Sequence, residues 1–184
     1  MEQLPDIKDY IDFDQNPRQM EAFQLIGSGK KIFYGGAKGG GKSFLALGSA
    51  VLVATQFPGI RIVIIRRYYQ ELEERFIQIL KEKFPDHIFG YKWSERKKTA
   101  FFDNNAKIVM KALETEGDVK KVKGLEYQYM IIDEANEFTE IQVEYLEGSL
   151  RNPDIPNFTA TLLMTGNPHA MASMSAKPHP SYHD

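Results

Sequence analysis

Apolar residues along this chain alternate between two rhythms. Near-continuous β-branched and aromatic runs occur at 31–34 (KIFY), 60–65 (IRIVII), 127–132 (YQYMII) and 159–164 (TATLLM). Such runs read as strands buried on both faces of a parallel sheet. Helical spacing fills the gaps between them. Asn16 as N-cap, Pro17 at the first helical position and Gln19 two residues on predict a helix start, continued by Met20, Phe23 and Leu25 until Gly27-Ser-Gly29. Ser43 to Gln56 predicts a second helix, stopped by Phe57-Pro58-Gly59. Tyr68 to Phe84 predicts a third, with Leu72, Phe76, Ile79, Leu80 and Lys83 at helical spacing and Glu71, Glu73, Glu74 and Arg75 as a solvated face. Thr139 and Gln142 form a capping box for a fourth, whose inner face is expected to carry Ile141, Tyr145, Leu146, Ser149 and Leu150.

Residues 91–112 change period. Tyr91-Lys-Trp93, Thr99-Ala-Phe-Phe102 and Lys107-Ile-Val-Met110 predict short antiparallel strands, the last two joined through Asp103-Asn-Asn105. Glu114 to Gly124 reads as a polar loop. Helices alternating with buried strands imply an α/β fold, a mostly parallel sheet with helices on both faces and a small antiparallel hairpin insertion around 91–112. Sheets of this kind bind ligands at the carboxyl ends of their strands.

Composition narrows the field. With 184 residues, 42% of them hydrophobic, the chain can bury one sizeable core. A net charge of −2 gives no global attraction to nucleic acid or anionic membrane, so contacts of that kind need local patches. The absence of cysteine excludes disulfides, thiolate metal sites and a cysteine nucleophile. Residues 1–14 hold five acidic side chains and no apolar core of a signal peptide, and predict a loosely held arm. No apolar run approaches the length of a membrane span, so a soluble, intracellular protein is expected. The segment 169–184 carries three of the four histidines and no periodicity, and is expected to be a disordered or added tail rather than a metal site.

The chemistry concentrates at four strand ends. Gly36 to Ser43 reads Gly-Ala-Lys-Gly-Gly-Gly-Lys-Ser, the phosphate-binding P-loop pattern, placed between a strand and a helix. In that pattern the backbone N–H groups of Gly36, Ala37, Lys38, Gly39, Gly40 and Gly41 wrap a phosphate chain. Lys42 reaches the β- and γ-phosphates, and Ser43 offers its hydroxyl to Mg²⁺. Asp133 follows the third buried run, where a carboxylate holds Mg²⁺; Glu134 next to it can polarise a water for attack on the γ-phosphate. Thr165 and Asn167, after the fourth run, either hydrogen-bond a γ-phosphate and its water or simply build a turn. Gln19 is either a capping residue or an amide that pairs with an adenine edge. The cofactors implied are ATP and Mg²⁺. The fold expected is a P-loop NTPase of the ASCE type, a three-layer sandwich spanning residues 1–168.

Together, Pro17-Arg-Gln19 with Phe23, the 35–43 segment, Arg66-Arg67, Lys123-Gly124, the 130–135 segment, Leu150-Arg-Asn-Pro153 and the 163–168 segment resemble the ATPase domain of phage large terminases. That resemblance, covering 17–168, implies a motor that hydrolyses ATP to drive viral DNA into a procapsid, with Thr165-Gly-Asn167 as the motif coupling hydrolysis to movement. It implies double-stranded DNA, a portal protein and a small terminase subunit as partners, a homo-oligomeric ring when assembled, a monomer for the isolated fragment, and residence in the host cytoplasm, transiently at the portal. Lys38 and Lys123 stand where the family commonly has arginine, leaving Arg66, Arg67, Arg151, Lys38 and Lys123 as candidates for the arginine finger. The family continues into a nuclease domain, which this chain is expected to lack. Two other readings stay open: another P-loop ATPase acting on nucleic acid, helicase or PhoH-like, and a nucleotide-binding assembly module that does not hydrolyse on its own. Arg96-Lys-Lys98 and Lys120-Lys121-Lys123 are candidate phosphate contacts or plain solvated loops.

Overall fold

β1 (Lys31–Gly35), β2 (Arg61–Arg66), β3 (Tyr91–Ser94), β4 (Thr99–Phe102), β5 (Lys107–Ala112), β6 (Tyr129–Ile132) and β7 (Thr161–Gly166) form one sheet ordered β1-β7-β6-β2-β5-β4-β3. The computed structural model describes residues 9–14, 16–36, 41–122, 125–152 and 154–167. β1, β7, β6, β2 and β5 run parallel, and β4 and β3 continue the sheet antiparallel. The hairpin expected as an insertion around 91–112 is therefore part of the main sheet: β5 pairs with β2 over six residues, Arg61 opposite Lys107 to Arg66 opposite Ala112. Its alternation has a simple cause. Ile108 and Met110 face one core cluster, while Lys107 and Lys111 face the other side of the sheet.

Helices cover both faces, which gives three layers. α2 (Lys42–Gln56) is buried without a break from Leu45 to Val51, as befits a helix apolar all round. It is bonded to the sheet by Ser49 Oγ and Tyr129 Oη, 2.8 Å apart and both fully buried. On the same side, α3 (Tyr69–Leu72), a π-helical turn over Glu73–Ile77, and α4 (Gln78–Lys83) make one continuous rod. The wider turn brings Phe76 and Ile77 into the core together. Ile79, expected on the inner face, is only partly buried, and Lys83 is exposed. α1 (Pro17–Gln24) and the short α5 (Asp86–Phe89) complete this layer. α6 (Glu116–Val122) and α7 (Glu140–Glu147) cover the opposite face through Val119, Val122 and Leu146.

Three expectations fail here. The 114–124 stretch is not a loop: Val119 and Val122 recur three apart and seat α6 on the sheet, a signal masked by the charged residues around them. Its residues 123 and 124 lie outside the described set. Ile141 is 69% exposed, because the capping box of Thr139 and Gln142 fixes the helix phase so that Val143 and Leu146 turn inward instead. The arm is not loose over its described part. Ile11 and Phe13 are buried and press on Gly48 of α2, where an added Cβ would lie 3.2 Å from Phe13. The rest of the arm and the segment 168–184 lie outside the described residues.

These assignments separate two apolar positions sharply. Phe76→Ala should lower unfolding free energy by about 3–5 kcal/mol, whereas Ile141→Ala should change it by less than about 0.5 kcal/mol, both read from denaturant unfolding curves.

Candidate functional site

Gly35, Gly166, Ile132 and Arg66 end β1, β7, β6 and β2, and the parallel register sets these ends side by side. Gly35 lies opposite Gly166, Met164 opposite Ile132, and Ile132 opposite Ile65. These four strand ends line the carboxyl edge of the sheet, the P-loop strand standing two strand spacings, about 10 Å, from the Asp133 strand.

At the P-loop, Ala37, Lys38, Gly39 and Gly40 lie outside the described residues; its two ends do not. Gly41 takes φ 70°, in the left-handed region, and begins α2 with no side chain capping it. The open N-terminus of a fifteen-residue helix therefore stands at the loop, and its N–H groups and dipole favour an anion. Lys42 Nζ donates to Gly36 O at 2.9 Å, so the lysine folds back across the loop it belongs to. Ser43 sits in the first turn of α2.

Gln19 is 95% buried, and its Nε2 donates to Gly41 O at 3.2 Å. Asn16 caps α1 as expected, its Oδ1 accepting from Gln19 N–H. The capping box is not formed, because Asn16 N–H is taken by Phe13 O at 3.0 Å. Gln19 instead ties α1 to the end of the P-loop. Beside it, a cavity of about 300 Å³ opens between α1 and β1, lined by Arg18, Glu21, Leu25, Phe33, Tyr34 and Gly35.

Asp133, 1% exposed, is enclosed, as is Thr165 beside it. Thr165 Oγ1 donates to its Oδ1 and Arg66 Nη1 to its Oδ2. Arg66 is 3% exposed and also donates to Glu71 Oε2 from Nε at 3.0 Å and Nη2 at 2.7 Å; Glu137 Oε1 lies 3.9 Å from Nη2. Burial by itself lowers the arginine pKa, but Asp133, Glu71 and Glu137 outweigh it and raise the value. Glu71, expected to be a mere solvated side chain, is the second anchor of this arginine, and Glu137 is a third carboxylate. Burial raises the pKa of Glu137 first, against the pull of Arg66, with Glu71, Glu134 and Asp133 adding to the rise.

Glu134 has φ 50° and ψ 55°, left-handed for a residue with a Cβ. Strain of that kind costs about 1–3 kcal/mol and persists only where the surroundings impose it. Here the 3₁₀ turn Ala135–Glu137 starts at once, and Glu134 N–H points at Thr165 Oγ1, 3.4 Å away. The turn carries Asn136, whose Oδ1 accepts from Asn167 N–H at 3.2 Å and would lie 2.5 Å from any Cβ at position 166. Gly166 thus has a steric reason, and Asn136, which the sequence did not single out, links the end of β6 to the end of β7.

The basic candidates separate by place. Arg66 is committed inside the domain. Arg67 lies over the Phe138 ring, 5.6 Å from its centroid, and its Nη1 is buried with no hydrogen-bond partner. Arg151 is at the opposite edge of the sheet: its backbone N–H donates to Tyr127 O before β6 begins, and its Nη1 donates to Gly148 O and Leu150 O. Lys38 and Lys123 lie outside the described residues.

The donor set suits a hard cation. Ser43 and Asp133 offer oxygen only, and a carboxylate has lone pairs left after two hydrogen bonds. No group of three metal-ligating side chains occurs among the described residues, so a divalent ion here would be held by these two and by phosphate oxygens.

The family model for the terminase large subunit, T4-like-virus type, N-terminal part, matches residues 33–150. A search of curated proteins gave no significant match. Among solved structures, the large terminase from the thermophilic bacteriophage D6E is similar at 15% identity and a TM-score of 0.64, over 83% of this chain and 39% of that one. The large terminase ATPase domain of Thermus phage P74-26 is similar at 16% identity and TM-score 0.63, over 88% and 67%. The N-terminal domain of the DNA packaging ATPase from bacteriophage phi29 is similar at 18% identity and TM-score 0.55, over 89% and 87%. At these identities the likeness is one of fold, and the chain spans about two fifths of the D6E protein.

Two outcomes follow from the buried charges. Arg66→Ala leaves Asp133 buried and uncompensated, and should cost about 3–5 kcal/mol in denaturant unfolding. Glu137 binds its proton more tightly folded than unfolded, so the stability it contributes is present below its ordinary value of 4.5 and is lost as pH rises. Glu137→Gln should therefore unfold at higher denaturant than the parent at about pH 7, and the gap should close at about pH 4.

Proposed function

The chain belongs to the terminase large-subunit family, T4-like-virus type, N-terminal part, and we propose that it is an ATP-hydrolysing motor domain that powers DNA packaging. One observation carries this reading: a phosphate-loop lysine after β1, and a buried aspartate and a strained neighbouring glutamate after β6, stand along one sheet edge with only β7 between the two strands. The large terminase of D6E has been solved in complex with ATP-gamma-S and, in another structure, with ADP, which supports a nucleotide as the ligand here.

In this reading the phosphate chain lies against the N-terminus of α2, wrapped by the backbone of 36–41, and Lys42 exchanges Gly36 O for phosphate oxygens. Gln19 holds the loop from behind through Gly41. The cavity between α1 and β1 takes the base, with Phe33 and Tyr34 as its apolar lining. Ser43 and Asp133 would hold Mg²⁺, which would supply neutralisation of the phosphate charge. Glu134 lies beyond the strand direction because of its left-handed backbone, and there it accepts the proton of an attacking water. Lys38 supplies the positive charge that arginine supplies elsewhere in the family, as a point charge rather than a planar fork. Thr165 and Asn167 read the γ-phosphate: Thr165 is bonded to Asp133, and Asn167 to the turn that follows Glu134.

Double-stranded DNA, a portal protein, a small terminase subunit and a ring of copies are the partners this reading assigns to the whole protein, in the host cytoplasm and at the procapsid portal. Arg67 or Arg151 is then presented to a neighbouring copy, Arg66 being consumed within its own domain.

Glu134→Gln should lower phosphate release by about 10²–10⁴-fold with ATP binding retained, and Lys42→Ala should abolish binding in a nucleotide titration. Unchanged turnover in Glu134→Gln would sink the assignment.

A further inference from the structure

The register of the antiparallel end of the sheet draws basic side chains into a line. Lys92 on β3 is opposite Phe101 on β4, Phe101 is opposite Lys107 on β5, and Lys107 is opposite Arg61 on β2. Partners in register project to the same face, so the four form one row crossing four strands, about 14 Å from end to end. Lys92 and Arg61 are exposed, and Phe101 and Lys107 are partly so. Lys107 Nζ is 5.7 Å and Lys97 Nζ 5.5 Å from the centre of the Phe101 ring, which seats two ammonium groups against the sheet. Lys111 follows on the same face of β5.

No acidic residue of β2, β3, β4 or β5 shares this face. Residues 91–112 hold six basic and two acidic side chains, a net of +4 in a chain of −2 overall. One of the two acids, Glu95, is turned to Lys81 and to Lys98, the latter at 3.1 Å. That pairing also removes Lys98 from the 96–98 cluster, leaving Lys97 as the member held on the face. The second cluster is weaker, since Lys121 is paired with Asp118 at 3.0 Å. α6 and α7 cover this side of the sheet at Val63, Met130 and Leu162, but no helix is described over β3 and β4 there. The row ends at Arg61, which also lines a cavity of about 350 Å³ together with Arg151, Glu126 and Asp154.

We propose that the row Lys92–Phe101–Lys107–Arg61, with Lys97 and Lys111 beside it, is a docking surface for the phosphate backbone of duplex DNA. Charge complementarity argues for a polyanion; the packaging reading supplies only the identity of that polyanion. One DNA strand presents a phosphate about every 3.4 Å along the axis, so the row spans about four. Lysines and an arginine without base-reading partners fit a backbone contact blind to sequence.

The test uses the full chain, a short fluorescein-labelled duplex and anisotropy over a series of salt concentrations, without nucleotide, so that its result does not depend on the ATPase site. Each of Lys92→Gln, Lys107→Gln and Arg61→Gln should weaken binding and flatten the slope of log K against log salt by about 0.9. The triple variant should lose about three such increments, while Lys83→Gln on α4 leaves the slope at the parental value. Circular dichroism checks the fold, and the single variants decide if the triple fails to fold. Parental affinity and slope in the variants would overturn the proposal, as would a parent chain with no salt-dependent duplex binding. So would variants that shift sedimentation without touching DNA binding, which would make the face a contact between copies of the chain.

Discussion

The contact of Arg66 with Asp133 is the constraint on which the carboxyl edge of this sheet depends. Neither group can be solvated, since the guanidinium is 3% and the carboxylate 1% exposed. Each therefore has to be paid for by a partner. The arginine ends β2 and the aspartate directly follows β6, so the pair locks two neighbouring strands at their tips. Thr165 adds the third strand through Asp133 Oδ1, and Glu71 adds the start of the α3 rod. A one-residue slip in any of these strands would send a buried charge to the wrong face. The ion network thus specifies register at the place where the chemistry needs it, whatever its net contribution to stability.

Around that pair the chain accepts strain. Glu134 adopts a left-handed backbone one residue past Asp133, and the turn that begins there delivers Asn136 to Asn167 and Gly166. The ends of β6 and β7 are consequently joined twice, by Thr165 to Asp133 and by Asn136 to Asn167. A displacement of Glu134 is coupled to both by hydrogen bonds rather than by proximity alone, which is the physical basis for reading Thr165 and Asn167 as one unit with the glutamate.

Much of this was legible in the residues. The four buried runs became four adjacent parallel strands because continuous apolarity has few other solutions, and the caps at Asn16 and Thr139 appeared because their geometry is local. What stayed illegible depends on tertiary partners. Glu71 looks like every other glutamate of a charged helix face; only the inward turn of Arg66 distinguishes it. Asn136 reads as an ordinary turn residue until Gly166 is seen beneath it. Gln19 had two sequence readings, capping and adenine, and its bond to Gly41, twenty-two residues on, is a third that no local pattern encodes. α6 was hidden because two buried valines are too few to show a period among charges. Ile141 misled for the opposite reason: an apolar residue in the right helix lies at the wrong phase.

β2 connects the two ends of the argument. Arg61 opens it, in the basic row at its amino end, and Arg66 closes it, in the ion network at its carboxyl end. Ile62, Val63, Ile64 and Ile65 between them are fully buried and held on both sides, by β5 and by β6. A strand so enclosed has no second packing to move into, because close-packed interiors resist continuous deformation. A displacement at the carboxyl edge cannot therefore reach the amino end by a shift within the strand; it would have to move the sheet as one body. A relative movement between elements would therefore have to occur outside the sheet. β3 and β4, the two terminal strands, would be carried with that body, and movement relative to it is left to the segments that meet the strand tips around Glu134 and Asn167.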